Sequence, residues 1–162
     1  MPHLDWAKFV AAHFFHIWLL SLGWVIVVFA LRYFWHRSKG RYFEDPRTSA
    51  VIYTEQFASG RSLKSWRTRL GSASNCLRVF LTEDRLFVRP IFPFLILGPD
   101  FDLVHSVPLK NIDSVTRRDR AFLKGLRIRF LMADGTAREI EILSRKAEQF
   151  ERTLAALIGQ TK

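Results

Sequence analysis

The chain has a single cysteine, Cys76, in 162 residues. A lone cysteine excludes an internal disulfide framework and a cysteine-rich zinc site. The eight glycines form no phosphate-binding loop; Gly60 and Gly71 merely flank a basic stretch. A nucleophile elbow and an HExxH helix are also missing, so nothing here points to nucleotide, acyl-transfer or zinc-hydrolase chemistry. No enzyme activity and no cofactor are expected. Low-complexity tracts and internal repeats are absent. Acidic residues are in deficit, 15 against 25 Lys and Arg, for a formal net charge of +10. A charge of that size on a short chain points to nucleic acid or to an acidic membrane surface. The length fits about one domain and excludes a multi-domain enzyme. An apolar content of 49%, with 14% aromatic residues, excludes a disordered chain.

The most informative absence is local. From Phe9 to Leu31 there is no Asp, Glu, Lys or Arg. A helix over this run is about 34 Å long, and a bilayer core needs about 30 Å. Trp6 and Trp35 stand roughly 43 Å apart on such a helix, near the ~40–45 Å between the headgroup regions, and read as an aromatic belt. A signal peptide has a shorter apolar core and a small-residue cleavage site. Here the run meets Arg32-Tyr33-Phe34-Trp35-His36-Arg37 instead. A single transmembrane helix is therefore expected.

The flanks orient it. Residues 32–41 carry Arg32, Arg37, Lys39 and Arg41 and no acid, whereas residues 1–8 carry Lys8 against Asp5. The positive-inside rule places the C-terminal side in the cytoplasm. In a bacterium this is a single-pass inner-membrane protein with its N-terminus outside. His13 and His16 sit near the outer end, with His3 before them, and read as interfacial imidazoles rather than metal ligands. Ala7 and Ala11 make one small-xxx-small pair, a weak dimerisation signal. The expected plan is a short extracytoplasmic N-terminus (1–8), a transmembrane helix (9–31), a basic juxtamembrane linker (32–56) and a soluble domain (57–162). The first 41 residues hold +4 of the net charge and the remainder +6.

The soluble part alternates like a sheet. Residues 77–82 and 85–89 alternate about a turn at Glu83-Asp84 and predict a hairpin. Residues 91–97 are almost wholly apolar, but Pro90, Pro93 and Pro99 bar a central strand; an edge strand or a loop folded over the core is expected. Short strands are expected over 102–107 and, after Pro108, toward Val115. The clearest hairpin is 126–143. A three-residue loop, Ala133-Asp134-Gly135, with Gly135 in the left-handed region, pairs Ile128 with Ile140 and Leu126 with Ile142. It sets Arg129 opposite Glu139 and Arg127 opposite Glu141, in cross-strand ion pairs. Ser144 is a plausible helix N-cap. Ala147, Phe150, Leu154, Leu157 and Ile158 then form one helical stripe, and Gly159 is a natural stop. Cys76 and His105 are expected to be packing residues.

The stretch Leu77-Arg78-Val79-Phe80-Leu81-Thr82-Glu83-Asp84-Arg85-Leu86-Phe87-Val88 resembles the "L-T-x-x-R-L-x-V" signature of bacterial PH-like (pleckstrin-homology, GRAM-like) domains. Val107-Pro108-Leu109-Lys110-Asn111-Ile112-Asp113-Ser114-Val115 is similar to their "I-P-L-x-x-I-x-x-V" strand. The resemblance covers about residues 57–158 and implies an α+β fold: an antiparallel β-barrel or sandwich of about seven strands capped by a C-terminal helix. Fold does not give function. The first expectation is a membrane-anchored protein-interaction or assembly module, which binds another protein or itself through a sheet edge or the 91–97 segment. The alternative is a module for anionic lipid headgroups, with Arg61, Lys64, Trp66, Arg67, Arg69, Arg117, Arg118, Arg120 and Lys124 as candidate contacts. Nucleic-acid binding is a remote third, disfavoured by the tether and by ion-paired arginines. Membrane lipids are the expected surroundings in every case.

Overall fold

The computed structural model describes residues 6–40, 50–66, 68, 71–119 and 124–161. The chain divides into two units, Met1–Gly40 and Arg41–Lys162. The first is one helix, α1 (Trp6–Ser38). Residues Val10–Ser38 are long and apolar enough to cross a membrane, with a mean hydropathy of 2.3. The helix runs past the expected end at residue 31. Its last turn carries His36 and Arg37, which suit the negative end of the helix dipole. Ser21, a polar residue inside the apolar run, returns its hydroxyl to the Ile17 carbonyl at 2.8 Å. It thereby keeps no unmet donor on the helix surface.

The second unit is a seven-stranded antiparallel sheet with a C-terminal helix. The strands are β1 (Tyr53–Ser62), β2 (Ala73–Leu81), β3 (Arg85–Pro90), β4 (His105–Pro108), β5 (Ile112–Arg117), β6 (Lys124–Leu131) and β7 (Ala137–Ser144), followed by α2 (Ala147–Thr161). The spatial order is β4-β3-β2-β1-β7-β6-β5. β1 thus joins two meanders, pairing with β2 on one side and β7 on the other. Gly60 makes this crossing fit: a Cβ there would meet the Glu141 carbonyl oxygen at 2.6 Å. Leu77, Val79, Leu81, Leu86, Leu126, Ile128, Phe130, Ile140 and Ile142 fill the core, and Phe150, Leu154 and Leu157 of α2 close it. Tyr53 stacks on Phe150 with centroids 5.3 Å apart.

The 126–143 hairpin has the expected register, with Ile128 opposite Ile140 and Arg127 opposite Glu141. Gly135 takes φ +78°, and the Met132 N–H bonds the Thr136 carbonyl at 2.9 Å to close the three-residue loop. The ion pairs across it differ from expectation. Arg127 reaches diagonally to Glu139 at 3.3 Å, Arg129 turns to Asp113 on β5 at 3.4 Å, and Arg61 takes Glu141 at 3.0 Å. A third strand on each side offers better partners than the residue directly opposite.

Other expectations need correction. The strand placed at 102–107 begins at His105. Of the two forms expected for residues 91–97, the structure takes the loop and not the edge strand, with a 3-10 turn at Phe94–Ile96 and only Ile96 of its large side chains buried. Ser144 ends β7 instead of capping α2: its Oγ accepts from the Lys146 N–H at 2.9 Å and donates to Glu55. Gly159 does not stop α2, which continues to Thr161. The sheet starts at Tyr53, because β1 occupies residues that look like linker.

Candidate functional site

The two sequence motifs meet in the fold. Thr82 Oγ1 accepts from the Arg85 N–H at 3.1 Å and donates to Asp84 at 2.8 Å, which closes the β2–β3 turn. The Leu109 N–H then bonds the Asp84 carbonyl at 2.8 Å. Arg85 Nε donates to Ser106 Oγ at 3.0 Å. Leu81, Leu86, Leu109 and Ile112 are buried. These residues build a turn and a core, so the motifs carry fold and not a binding site.

The basic candidates fall into two groups at opposite ends of the β6–β7 hairpin. Lys64 lies beyond β1, beside Thr136 at the hairpin turn. Lys124 lies opposite Ser144 at the open end. An eight-residue strand places roughly 23 Å between those ends. At the open end, Arg117 faces Asp119 at 3.2 Å, Glu148 at 3.5 Å and Glu151 at 3.9 Å, and Lys124 Nζ meets Glu148 at 2.6 Å. The bonds from Lys124 and Arg117 hold the Glu148 carboxyl below its usual range. Arg118 is exposed beside them, and its N–H bonds the Gly125 carbonyl at 2.8 Å. The first turns of α2 thus neutralise much of this cluster. Arg61 is also engaged, by the buried carboxylate of Glu141. Arg67, Arg69 and Arg120 lie outside the described residues, as does Arg41 of the orienting group. Of the others in that group, Arg37 donates to the Tyr33 hydroxyl at 3.4 Å and Lys39 sits 5.5 Å from the Trp35 ring. Arg32 lies in the last turns of α1.

The turn end is different in character. An open cleft of about 440 Å³ is lined by Leu63, Lys64, Arg129, Thr136, Ala137, Arg138 and Glu139. Behind it sits a polar cluster that sequence reasoning missed. Asp102, held at φ +54°, accepts the Ser62 hydroxyl at 2.8 Å and faces Arg138 Nη1 at 3.6 Å. Its backbone carbonyl accepts from His105 Nε2 at 2.7 Å, which assigns the ring proton to Nε2. His105 packs edge-on against Phe130, 5.2 Å between centroids. Burial pushes the His105 pKa down, against the pull of Asp102. The Ser62 and Asp102 side chains bond each other and the histidine bonds a main-chain carbonyl, so the three do not form a proton relay.

A second buried cluster joins Tyr53, Glu55 and Ser144. The Tyr53 hydroxyl donates to Glu55 Oε2 at 2.8 Å, and burial followed by the Glu55 hydrogen bond pushes its pKa up. Cys76 is half-buried on β2, and burial raises its thiol pKa. His13 and His16 hold their rings 6.3 Å apart, edge to face. Among the described residues, no group of three His, Cys, Asp or Glu is placed to hold a metal ion.

The β3–β4 connection carries a set of exposed aromatics. Phe92 is 75% exposed and Phe94 53%, and Trp66 on the β1–β2 connection is 68% exposed. A small apolar cavity of about 100 Å³ joins these connections, with Gly71 and Ala73 on one side and Phe94, Leu97 and Phe101 on the other. The sequence points to Trp66 as a lipid contact and to the 91–97 segment as a partner contact; the structure exposes Trp66, Phe92 and Phe94. No protein-family model matches the chain, and no curated protein does.

Proposed function

We propose that the chain is a single-pass anchor for a PH-like (GRAM-like) domain at the cytoplasmic face of a bacterial inner membrane, and that the domain is a protein-interaction or assembly module. The strand order, two meanders joined through β1 and closed by a C-terminal helix, supports the PH-like reading. The four cations that follow the apolar run support the orientation. The observation that carries the functional reading is the sheet edge at β5. This strand ends the spatial order, and Asp113, Ser114, Thr116 and Arg117 along it are exposed. An edge strand offers main-chain donors and acceptors to an added strand from another protein or a second copy.

The open cleft with Lys64, Arg129 and Arg138 favours a second reading, an anionic lipid headgroup. One experiment separates the two. A photo-crosslinking residue at Ser114 or Thr116 in the full-length protein in membranes is expected to yield a protein adduct, while one at Glu83, on the β2–β3 turn, yields none. Lipid adducts alone, or no adduct at β5, defeat the interaction reading.

A further inference from the structure

We propose that the β3–β4 loop is a second membrane contact, with the Phe92 and Phe94 rings seated in the interfacial layer of the leaflet beside the domain. The inference rests on the membrane-anchored reading above and adds a site to it. Three observations carry it. First, both rings project into solvent, although Ile96 and Leu103 fix the loop to the core from below. Second, much of the loop's backbone is paired within the loop. The N–H groups of Leu95, Ile96, Leu97 and Gly98 bond the carbonyls of Ile91, Pro93, Phe94 and Leu95 at 3.1–3.2 Å, and Leu103 N–H bonds the Gly98 carbonyl at 2.9 Å. A segment whose main-chain groups are largely paired internally strands few of them on entering the interfacial layer, and offers few to a partner strand. Third, the ring-bearing part of the loop, residues 91–99, carries no Asp or Glu; the loop's acids, Asp100 and Asp102, follow it, with Asp102 held by Ser62 and Arg138, and Lys64 and Trp66 lie on the neighbouring connection. Exposed aromatics on an acid-free stretch, with a cation on the neighbouring connection, suit the interfacial layer. The tether permits the approach: residues 41–52 extend to about 43 Å at most, which keeps the domain close to the bilayer.

The test uses the full-length chain in vesicles of phosphatidylethanolamine with phosphatidylglycerol. Cys76→Ser removes the native thiol, and Phe92→Cys or Glu83→Cys carries an environment-sensitive dye. The expected result is blue-shifted emission and quenching by brominated acyl chains at 92, and neither at 83. Adding Phe94→Ser shifts the docked loop toward the free state by about tenfold, the value of roughly one ring leaving water-excluded surroundings. A dye at 92 that is shielded from water but untouched by brominated chains means that protein covers the loop and overturns the inference. So does a dye that stays in water. Carbonate washing distinguishes the two levels. A chain retained in the vesicles with an unquenched dye at 92 ends the loop contact alone; a chain washed out ends the anchored reading and the loop contact together.

Discussion

The helix and the domain treat their apolar side chains in opposite ways. In α1, Phe14, Leu20 and Trp24 are each more than three-fifths exposed, and the most apolar stretch of the span has no buried residue. In the domain, Leu77, Leu81, Leu86 and Phe130 are fully buried. The two regions are similar in side-chain type and differ in where that surface goes. A helix apolar all round has no partner within its own unit and needs an apolar solvent. The sheet and α2 supply their own interior. The same contrast sorts the charges: α1 has none in its apolar run, while the domain pairs Arg61 with Glu141 and Arg138 with Asp102.

The sharpest way to break the comparison is to truncate one apolar residue in each region. Phe130→Ala is expected to destabilise the domain by about 3–5 kcal/mol through lost burial and a residual cavity. Leu20→Ala is expected to leave the melting temperature of the full-length protein in detergent unchanged. Equal effects from both would mean that α1 contributes to the domain's interior.

A smaller effect tests the charges. Arg61 pairs at 3.0 Å with a carboxylate that is only 2% exposed, whereas the Lys124–Glu148 pair is half in water. Arg61→Ala is expected to cost about 1–3 kcal/mol, the penalty for weakening the partners of a buried charged acceptor. Lys124→Ala is expected to leave the melting temperature where it is, since solvent screens that pair. Chemical denaturation of both variants checks the order. A reversal would place the working ion pairs at the α2 end and revive the basic cluster there.

Legibility followed the same division. The membrane-length helix was plain because no charge interrupts it. The 126–143 register was plain because its alternation has one arrangement that keeps faces together, and Gly135 marks the turn. β1 was hidden because Phe57 at φ +65° and Asn75 at φ +51° accompany register shifts that break the alternation. Gly159 stands exposed in α2 with open space where a Cβ would be, so nothing there forces the helix to end. The candidate cations were legible as residue types and not as partners. Arg61 finds Glu141 80 residues away, and Lys124 finds Glu148 24 residues away. An apolar run such as 91–97 fits a core cover and a contact surface equally well in sequence, and the structure divides it: Ile96 is buried while Phe92 and Phe94 are exposed.

The smallest expected effect concerns a proton entering the interior. His105 is buried against Phe130, and desolvation lowers its pKa from the ordinary value of 6.5. Its Nε2–H already serves the Asp102 carbonyl, so protonation adds charge at the other nitrogen without adding to that bond. The unfolded chain takes up a proton as pH falls through the ordinary histidine value, and the folded domain resists it. Stability from this group is therefore complete above that pH and declines as pH falls below it, by at most ~1.4 kcal/mol per pH unit for one proton. His105→Gln keeps a donor for the carbonyl and removes the titration. The full-length protein in detergent is expected to lose denaturant resistance between neutral pH and pH 5, and His105→Gln to lose less over the same range. If the two slopes coincide, the acid sensitivity belongs to other groups, and the interior around Asp102 admits a proton as readily as water does.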